Sequence, residues 1–545
     1  MSSSKTVLTD SLSFLVLVLV CAILNHQTTQ IADLQLGDEA LYAYKGVTWF
    51  KTGFEADWGP IYSVWYWFLG NFTGNSIELY YLNMALLSSL PTLLMYVFFR
   101  KIGIAWWMSL YYCLVFHFSA LNFPEGVKVS MFALTLLMTC CILAYHFFDK
   151  KPLLFWVSIS TGLLLTSYIR PEYFLVFVLS LICLLVYTLI TRQQSWALLG
   201  LVVLAILVFA TVGLPISGRG QVAFLQGITY NYVQHHGDDP RLKNLNIWMD
   251  YLPISQIIFG QKVANAKEAF LVSPSVVWQY HLWPNIQDFI IHLKEILGYY
   301  LTFLFPASLF SLSGLKHKLF WGALTVILSY LVSFKATFLT LKSSFFNPSK
   351  SLILCILLMI APSFSSIYSV GAVRYLVPFY VVIPMIFYGM AQVIVWQNDR
   401  LTNIVITPKW VLVPLFTLLI SSTIYNQSTA QKPKKSSDAS KAKYAQQLAD
   451  SLGDRNKIVL LSNDDQLVTQ IDCQNVPYLK YKKHTDFKQF IKDNEVNLLI
   501  FSSTEAQYYA DDASVTNFLA NPPRPFVKMA APKEGNIAFV IVNKP

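Results

Sequence analysis

The run EYFLVFVLSLICLLVYTLIT, Glu172 to Thr191, decides the fold class. Past its first residue it carries no charge, and its polar groups are hydroxyls and one thiol. Coiled as a helix, with a rise of about 1.5 Å per residue, such a run crosses the ~30 Å hydrocarbon layer of a bilayer. Outward from it in both directions, apolar blocks of roughly 17–25 residues recur. They predict spans near 11–27, 77–99, 104–121, 128–148, 153–170, 172–191, 196–214, 297–314, 319–337, 351–368, 375–396 and 410–426. Hydrophobic residues make up 55% of the chain and charged ones 13%. The chain therefore reads as a polytopic α-helical membrane protein of about 12–13 spans. Its first apolar run follows Lys5 like a signal peptide, but no small-residue cleavage site comes after it, so it is read as retained.

Lys5, Arg100-Lys101, Lys150-Lys151, Arg192 and Lys316-His317-Lys318 fall in alternate loops, which the positive-inside rule makes cytoplasmic. Asp38 and Glu39 are then outside. Two arrangements of the last third fit. If every span crosses in full the tail is cytoplasmic, as the cluster Lys432, Lys434, Lys435, Lys441 and Lys443 also suggests. If Lys342 and Lys350 instead mark a stretch, 319–341, that returns to the side it left, Arg374 and the tail lie outside.

Residues 1–426 form the membrane module, with 28–76 as first outer loop and 215–295 as a long outer loop. The latter carries Trp248, Tyr251, Trp278, Tyr280 and Trp283, a composition suited to helices at the membrane–water interface. A Lys/Ser-rich linker, 427–443, leads to 444–545, which reads as a small soluble α/β domain. Lys457–Ser462 and Asn497–Ser503 suggest strands, His484–Glu495 an amphipathic helix, and Phe526–Met529 with Asn536–Val542 a hairpin. Asn463-Asp464-Asp465 follows the first strand in place of a Gly-rich turn, so no nucleotide-phosphate cradle is indicated. The net charge of +10 comes largely from cations beside spans. These suit anionic membrane lipids as partners, not nucleic acid. All the cysteines but Cys473 fall in predicted spans without metal or disulfide spacing, and serve as small packing residues.

A charge at the bilayer centre costs at least ~2.5–3.5 kcal/mol, so ionisable residues gathered at one face of the spans are functional candidates. The outer face collects Asp38, Glu39, Asp57, Glu125, Lys128, Arg170, Glu172 and, with the tail outside, Arg374. Mixed acids and cations at one depth point to a phosphate-bearing substrate. His235-His236-Gly237-Asp238-Asp239 has a metal-like composition, but consecutive side chains diverge and Gly237 suits a turn, so it reads as a solvated loop. Asn71-Phe72-Thr73 matches a glycosylation sequon, which has meaning only in a cell that uses it.

Asp38-Glu39-Ala40 with Tyr42, followed by Pro60-Ile61-Tyr62, resembles the first outer loop of GT-C superfamily integral-membrane glycosyltransferases. The nearest branch holds the protein O-mannosyltransferases and lipid A aminoarabinose transferases. Arg170-Pro171-Glu172 and Arg374-Tyr375-Leu376-Val377-Pro378 resemble later elements of the same superfamily, in the expected order. Two departures stand out: Gly59-Pro60 replaces the common Pro-Pro, and Glu125 stands where a second outer-loop Asp is usual.

The resemblance implies a GT-C-like bundle in a bacterial plasma membrane, its site facing out. It implies inverting transfer of a sugar from a polyprenyl-phosphate donor to a lipid, glycan or protein acceptor. An acceptor hydroxyl is a poor nucleophile and needs a carboxylate to take its proton; Asp38 is the candidate base, with Glu39 beside it as second catalytic acid, there to orient Asp38 or the acceptor. A departing lipid phosphate gathers negative charge, and Arg170 and Arg374 are the candidate cations, with Lys128 a third. Glu125, Glu172, Tyr375 and Tyr62 complete the candidate substrate-binding set. No cofactor is required, although Asp38 and Glu39 could share a divalent metal with Glu125. The alternative is a transporter or flippase for a lipid-linked or anionic substrate. It would be expected to show mid-membrane charged or Gly/Pro-broken helices and an internal repeat, and no repeat is found. A non-catalytic assembly subunit would need none of the outer-loop acids.

Overall fold

A computed structural model describes residues 4–31, 59–74, 76–117, 128–147, 151–192, 196–215, 218–242, 250–301, 363–368, 373–386, 458–461, 473–476, 481–501, 503–524, 526–529 and 537–541, with scattered positions between, Glu39, Tyr42 and Asn122 among them. The predicted spans 319–337 and 410–426, and the linker 427–443, lie outside the described residues.

The apolar blocks fold as helices: α1 (Ser4–Ile31), α2 (Pro60–Gly70), α3 (Ser76–Lys101), α4 (Trp106–His117), α5 (Val129–Ala144), α6 (Pro152–Ser167), α7 (Tyr173–Thr191) and α8 (Trp196–Val212). Pro60 and Pro152 open α2 and α6, where a missing N–H costs no helical bond. Helix α3 buries Leu79, Asn83, Leu87, Pro91 and Met95, an inward stripe at helical spacing. It packs on α1, α4 and α5; α5 packs on α6, and α6 on α7 and α8. At the α5–α6 crossing a Cβ on Gly162 would stand 2.7 Å from Cys140 Cβ, so glycine permits the close approach.

Within the described residues, Ser76–Lys101, Val129–Phe147 and Tyr173–Ile190 are long and apolar enough to cross a membrane, with shorter apolar helices at Leu8–Ile23, Pro152–Ser167 and Trp196–Val212. Leu8, Leu12, Leu15, Leu19 and Ile23 form an exposed stripe along α1, and Leu179, Ile182, Val186 and Leu189 another on α7. Apolar stripes exposed on this scale suit lipid, not water. The chain is thus a mostly helical protein with membrane-type helices.

At one end of the bundle Arg100 binds Asp10 through both oxygens, Nε to Oδ1 and Nη2 to Oδ2, each at 2.9 Å, tying α1 to α3. At the other end Gly59 N-caps α2 in a left-handed conformation, φ 62°, and the Ile61 N–H donates to Tyr168 O at 3.3 Å. A Cβ on Gly59 would meet Ile169 O at 2.9 Å. Proline fixes φ near −65°, so a proline at position 59 cannot form this turn, which accounts for Gly59 in physical terms.

Two predicted boundaries move. The span 104–121 yields α4, a helix of 12 residues. The long loop is mainly helical: α9 (Gly218–His236), α10 (Tyr251–Phe259), α11 (Ala266–Val272) and α12 (Trp283–Leu301), the last starting well before the predicted span at 297. Asn285, Asp288, His292, Lys294 and Glu295 dilute its first turns and hide that start from hydropathy. Near its end Tyr111 Oη donates to Tyr300 O at 3.0 Å, and Tyr300 Oη to Tyr380 O at 2.8 Å.

Near the C-terminus β1 (Val459–Leu461), β2 (Gln474–Val476), β3 (Leu498–Phe501), β4 (Phe526–Met529) and β5 (Ile537–Ile541) form a sheet in the order β2-β1-β3-β5-β4. The β1–β2 and β1–β3 pairs are parallel, β3–β5 and β4–β5 antiparallel. Helices α13 (Phe487–Asp493), α14 (Ser503–Tyr508) and α15 (Ala513–Ala520) accompany it, and Leu499, Phe501, Phe487, Val515 and Phe518 share its core. The short β2 and the helices α14 and α15 were not legible in the sequence.

Gly59→Ala is expected to cost about 1–2 kcal/mol in backbone strain alone, and more from the Ile169 carbonyl; Gly59→Pro is expected to abolish the turn. Thermal unfolding in detergent should rank wild type above Ala above Pro. A Gly59→Pro protein melting with the wild type would show that the turn is not required.

Candidate functional site

Glu39 is buried, 1% exposed, at the end of the bundle away from Asp10. Its Oε1 accepts from Tyr62 Oη, from Tyr66 Oη at 2.5 Å and from Asn83 Nδ2 at 3.1 Å. Its Oε2 accepts the Lys128 backbone N–H at 2.8 Å, the N-terminus of α5. Negative charge is favoured there by the helix dipole. Asn83 Nδ2 also reaches both phenol oxygens, Tyr62 at 3.0 Å and Tyr66 at 2.8 Å, while its Oδ1 accepts from Trp65 Nε1 at 2.8 Å. One carboxylate thus joins the segment that carries it to α2, α3 and α5.

Burial pushes the Glu39 carboxyl above its ordinary value, and the donors from Tyr62, Tyr66 and Lys128 oppose that shift. Burial first, and then the Glu39 charge, holds both phenols well above theirs, so each stays protonated as a donor. With both oxygens engaged and the side chain buried, Glu39 ties its segment to the helices and is closed to solvent. Sequence pairing with Asp38 made Glu39 a candidate second catalytic acid or an orienting residue, and its contacts in the structure are with protein donors. Tyr62, expected to touch substrate, donates into the same cluster.

Arg170 follows α6 on a turn held by Arg170 N to Thr166 O at 2.9 Å. Its Nε meets Glu172 Oε1 at 2.9 Å, the side chains 12% and 14% exposed. The guanidinium stacks over the Tyr375 ring, 4.6 Å from its centroid. Nη2 is buried and has no acceptor among the described residues. A buried N–H left unpaired costs ~1–3 kcal/mol, so an oxygen facing this edge would be held firmly. Tyr42 lies near the same guanidinium, and its ring meets Tyr62 edge-on at 5.1 Å. Glu39, Tyr62, Tyr42, Arg170 and Tyr375 therefore form one continuous constellation.

Tyr375 sits on a 3-10 turn, Val373–Leu376, packed against α12. The backbone of Arg374 belongs to this turn; its side chain lies outside the described residues, as do Asp38, Asp57 and Glu125. Lys128 is buried, and its Nζ donates to Asn122 O. Sequence reasoning missed Tyr66, Asn83 and Trp65. Asn83 had a usable signal, a polar amide inside an apolar span. Of the His/Asp loop, His236 Nε2 lies 2.9 Å from Tyr280 Oη and Asp239 is paired with Arg241. Among the described residues no group of three or more metal-capable side chains is found.

In comparisons with known proteins, the chain matches no protein family and no curated protein significantly.

Glu39→Ala is expected to cost on the order of 3 kcal/mol by stranding its donors. Glu39→Gln, similar in shape and unable to ionise, tests the charge. A carboxyl held high in the folded state contributes stability below its unfolded value and loses it as pH rises through the folded one. Melting temperature should therefore fall over that window in wild type and stay flat in Glu39→Gln; equal slopes would remove Glu39 as the titrating group.

Proposed function

We propose that the protein is an inverting glycosyltransferase that moves a sugar from a polyprenyl-phosphate donor to an acceptor at the outer membrane face. The observation that carries this reading is Arg170: a buried guanidinium oriented by Glu172 and Tyr375, with Nη2 lacking an acceptor among the described residues. A phosphate oxygen suits that vacant donor, and arginine offers it a planar fork.

In the proposed step Asp38 takes the proton of the acceptor hydroxyl as its oxygen bonds to the anomeric carbon. The bond from that carbon to the phosphate oxygen breaks on the opposite face, and its electron pair leaves with the lipid phosphate. Arg170, with Arg374 from the Tyr375 turn, stabilises the charge gathering there, more in the transition state than before it. Glu39 holds the loop that carries Asp38. Tyr508 Oη donates to Asp250 Oδ1 at 3.0 Å, which supports a tail on the same side as the long loop, hence Arg374 outside. The C-terminal sheet and its helices are read as a separate soluble unit on that side.

In proteoliposomes given a panel of labelled polyprenyl-phosphate sugars, Asp38→Asn is expected to slow transfer by ~10²–10⁴ while donor binding persists. Arg170→Gln should weaken donor binding as well as turnover. Transfer at the wild-type rate by Asp38→Asn would remove the proposed base, and unchanged donor affinity in Arg170→Gln would remove the phosphate site.

A further inference from the structure

The segment from α11 to the start of α12 carries an apolar face that the proposed chemistry does not use. An open groove of about 780 Å³ is lined by Phe270, Trp278, Leu282 and Trp283, with Ser275 and Gln279 the polar members beside Pro274. Trp278 and Trp283 stack at 6.1 Å yet stay 52% and 47% exposed, and Leu271 on the rim is 74% exposed. Exposed Lys267 lies one helical turn before Leu271, on the same side of α11, and exposed Lys262 lies just upstream. Apolar and indole side chains beside lysines make up the composition of a surface seated at the boundary of headgroups and acyl chains.

The groove sits on a π-helical turn, Trp278–Leu282, a rare form that often marks functional positions. The same turn sends Trp278 outward and buries His281. His281 Nε2 donates to Tyr368 O at 2.6 Å, and Asn285 Nδ2 donates to Ile367 O at 2.9 Å. These carbonyls end the helical stretch 363–368, a few residues before the Val373–Leu376 turn that bears Tyr375. At its other end α12 joins the helical bundle through Tyr300.

We infer that α11, the π-turn and the start of α12 form a lipid-docking platform. Phe270, Leu271, Trp278 and Trp283 enter the outer leaflet, a lipid chain fills the groove, and Lys262 and Lys267 meet anionic headgroups. A bilayer is the occupant the surface favours, because the apolar face is continuous in one helix with the membrane-type bundle and is flanked by cations. A sugar would need more convergent polar groups than Ser275 and Gln279 supply. Through His281 and Asn285 the platform fixes the Tyr375 turn, so that Arg170 meets a lipid-borne phosphate at headgroup depth. This rests on the outward-facing reading of the long loop, but its readout needs no sugar transfer, so the two fail separately.

The test uses the full chain in vesicles of phosphatidylethanolamine and phosphatidylglycerol, with Cys183 and Cys355 replaced and a nitroxide at Leu271→Cys or, as control, at Arg241→Cys. At position 271 oxygen should relax the label more than a water-soluble nickel chelate does, placing it ~5–10 Å below the headgroups; at 241 the order should reverse. Trp278→Ser with Trp283→Ser should at least halve that contrast at 271, with the 241 spectrum unchanged as evidence of folding. Equal nickel access at 271 and 241 would overturn the proposal. So would protection at 271 that persists in detergent and scales with protein concentration, since a second copy would then be the occupant.

Discussion

The carboxylate of Glu39 is the constraint around which this end of the molecule is built. An ion of this size taken out of water loses several kcal/mol even after relaxation, and only complete hydrogen bonding makes its burial tolerable. Here the donors come from α2, α3 and the N-terminus of α5, three segments whose apolar packing the cluster fixes at one polar point. Each is held by what it donates. Asn83 is the hinge of the arrangement, because its amide serves Glu39 and both phenols at once while its carbonyl takes the Trp65 N–H. A hydrophobic residue at position 83 would pack as well in an apolar helix but would leave the cluster without its bridge.

From that anchor, order passes to the cation by contact and not by chance. The left-handed Gly59 sets the start of α2 against Tyr168 and Ile169, immediately before Arg170. The same helix carries Tyr62 and Tyr66 into the Glu39 cluster. The acid side and the guanidinium side are thus two ends of one short rigid piece. Preorganisation of this kind lets a charged group act without reorganising at the moment of reaction. Arg170, held by Glu172 and the Tyr375 ring, keeps one edge without an acceptor among the described residues.

The sequence disclosed the long uniform spans because hydropathy reports on every residue of them: 77–99 and 172–191 correspond closely to α3 and α7. It failed where composition is mixed. Helix α12 begins among Asn285, Asp288 and His292, and α4 stops short of its apolar run. At the site, residue types and order suggested Arg170 and Tyr375 as members of one set, and the structure brings them together. What no pattern disclosed was which protein groups surround Glu39. Asp38 and Glu39 look equivalent in a string of letters, and only tertiary packing assigns Glu39 its donors.

The burial of Glu39 has a chemical consequence. A base must offer an accessible lone pair near the proton it takes, and a carboxylate 1% exposed behind its protein donors is poorly placed to do so. A strut, conversely, works only if nothing competes for its oxygens. One residue cannot serve both ends, so a site that needs a rigid loop and a free base gains from two adjacent acids in unlike surroundings, the arrangement by which neighbouring carboxylates take different roles. On the proposed reading Glu39 spends its charge on architecture so that Asp38 can spend its own on the acceptor.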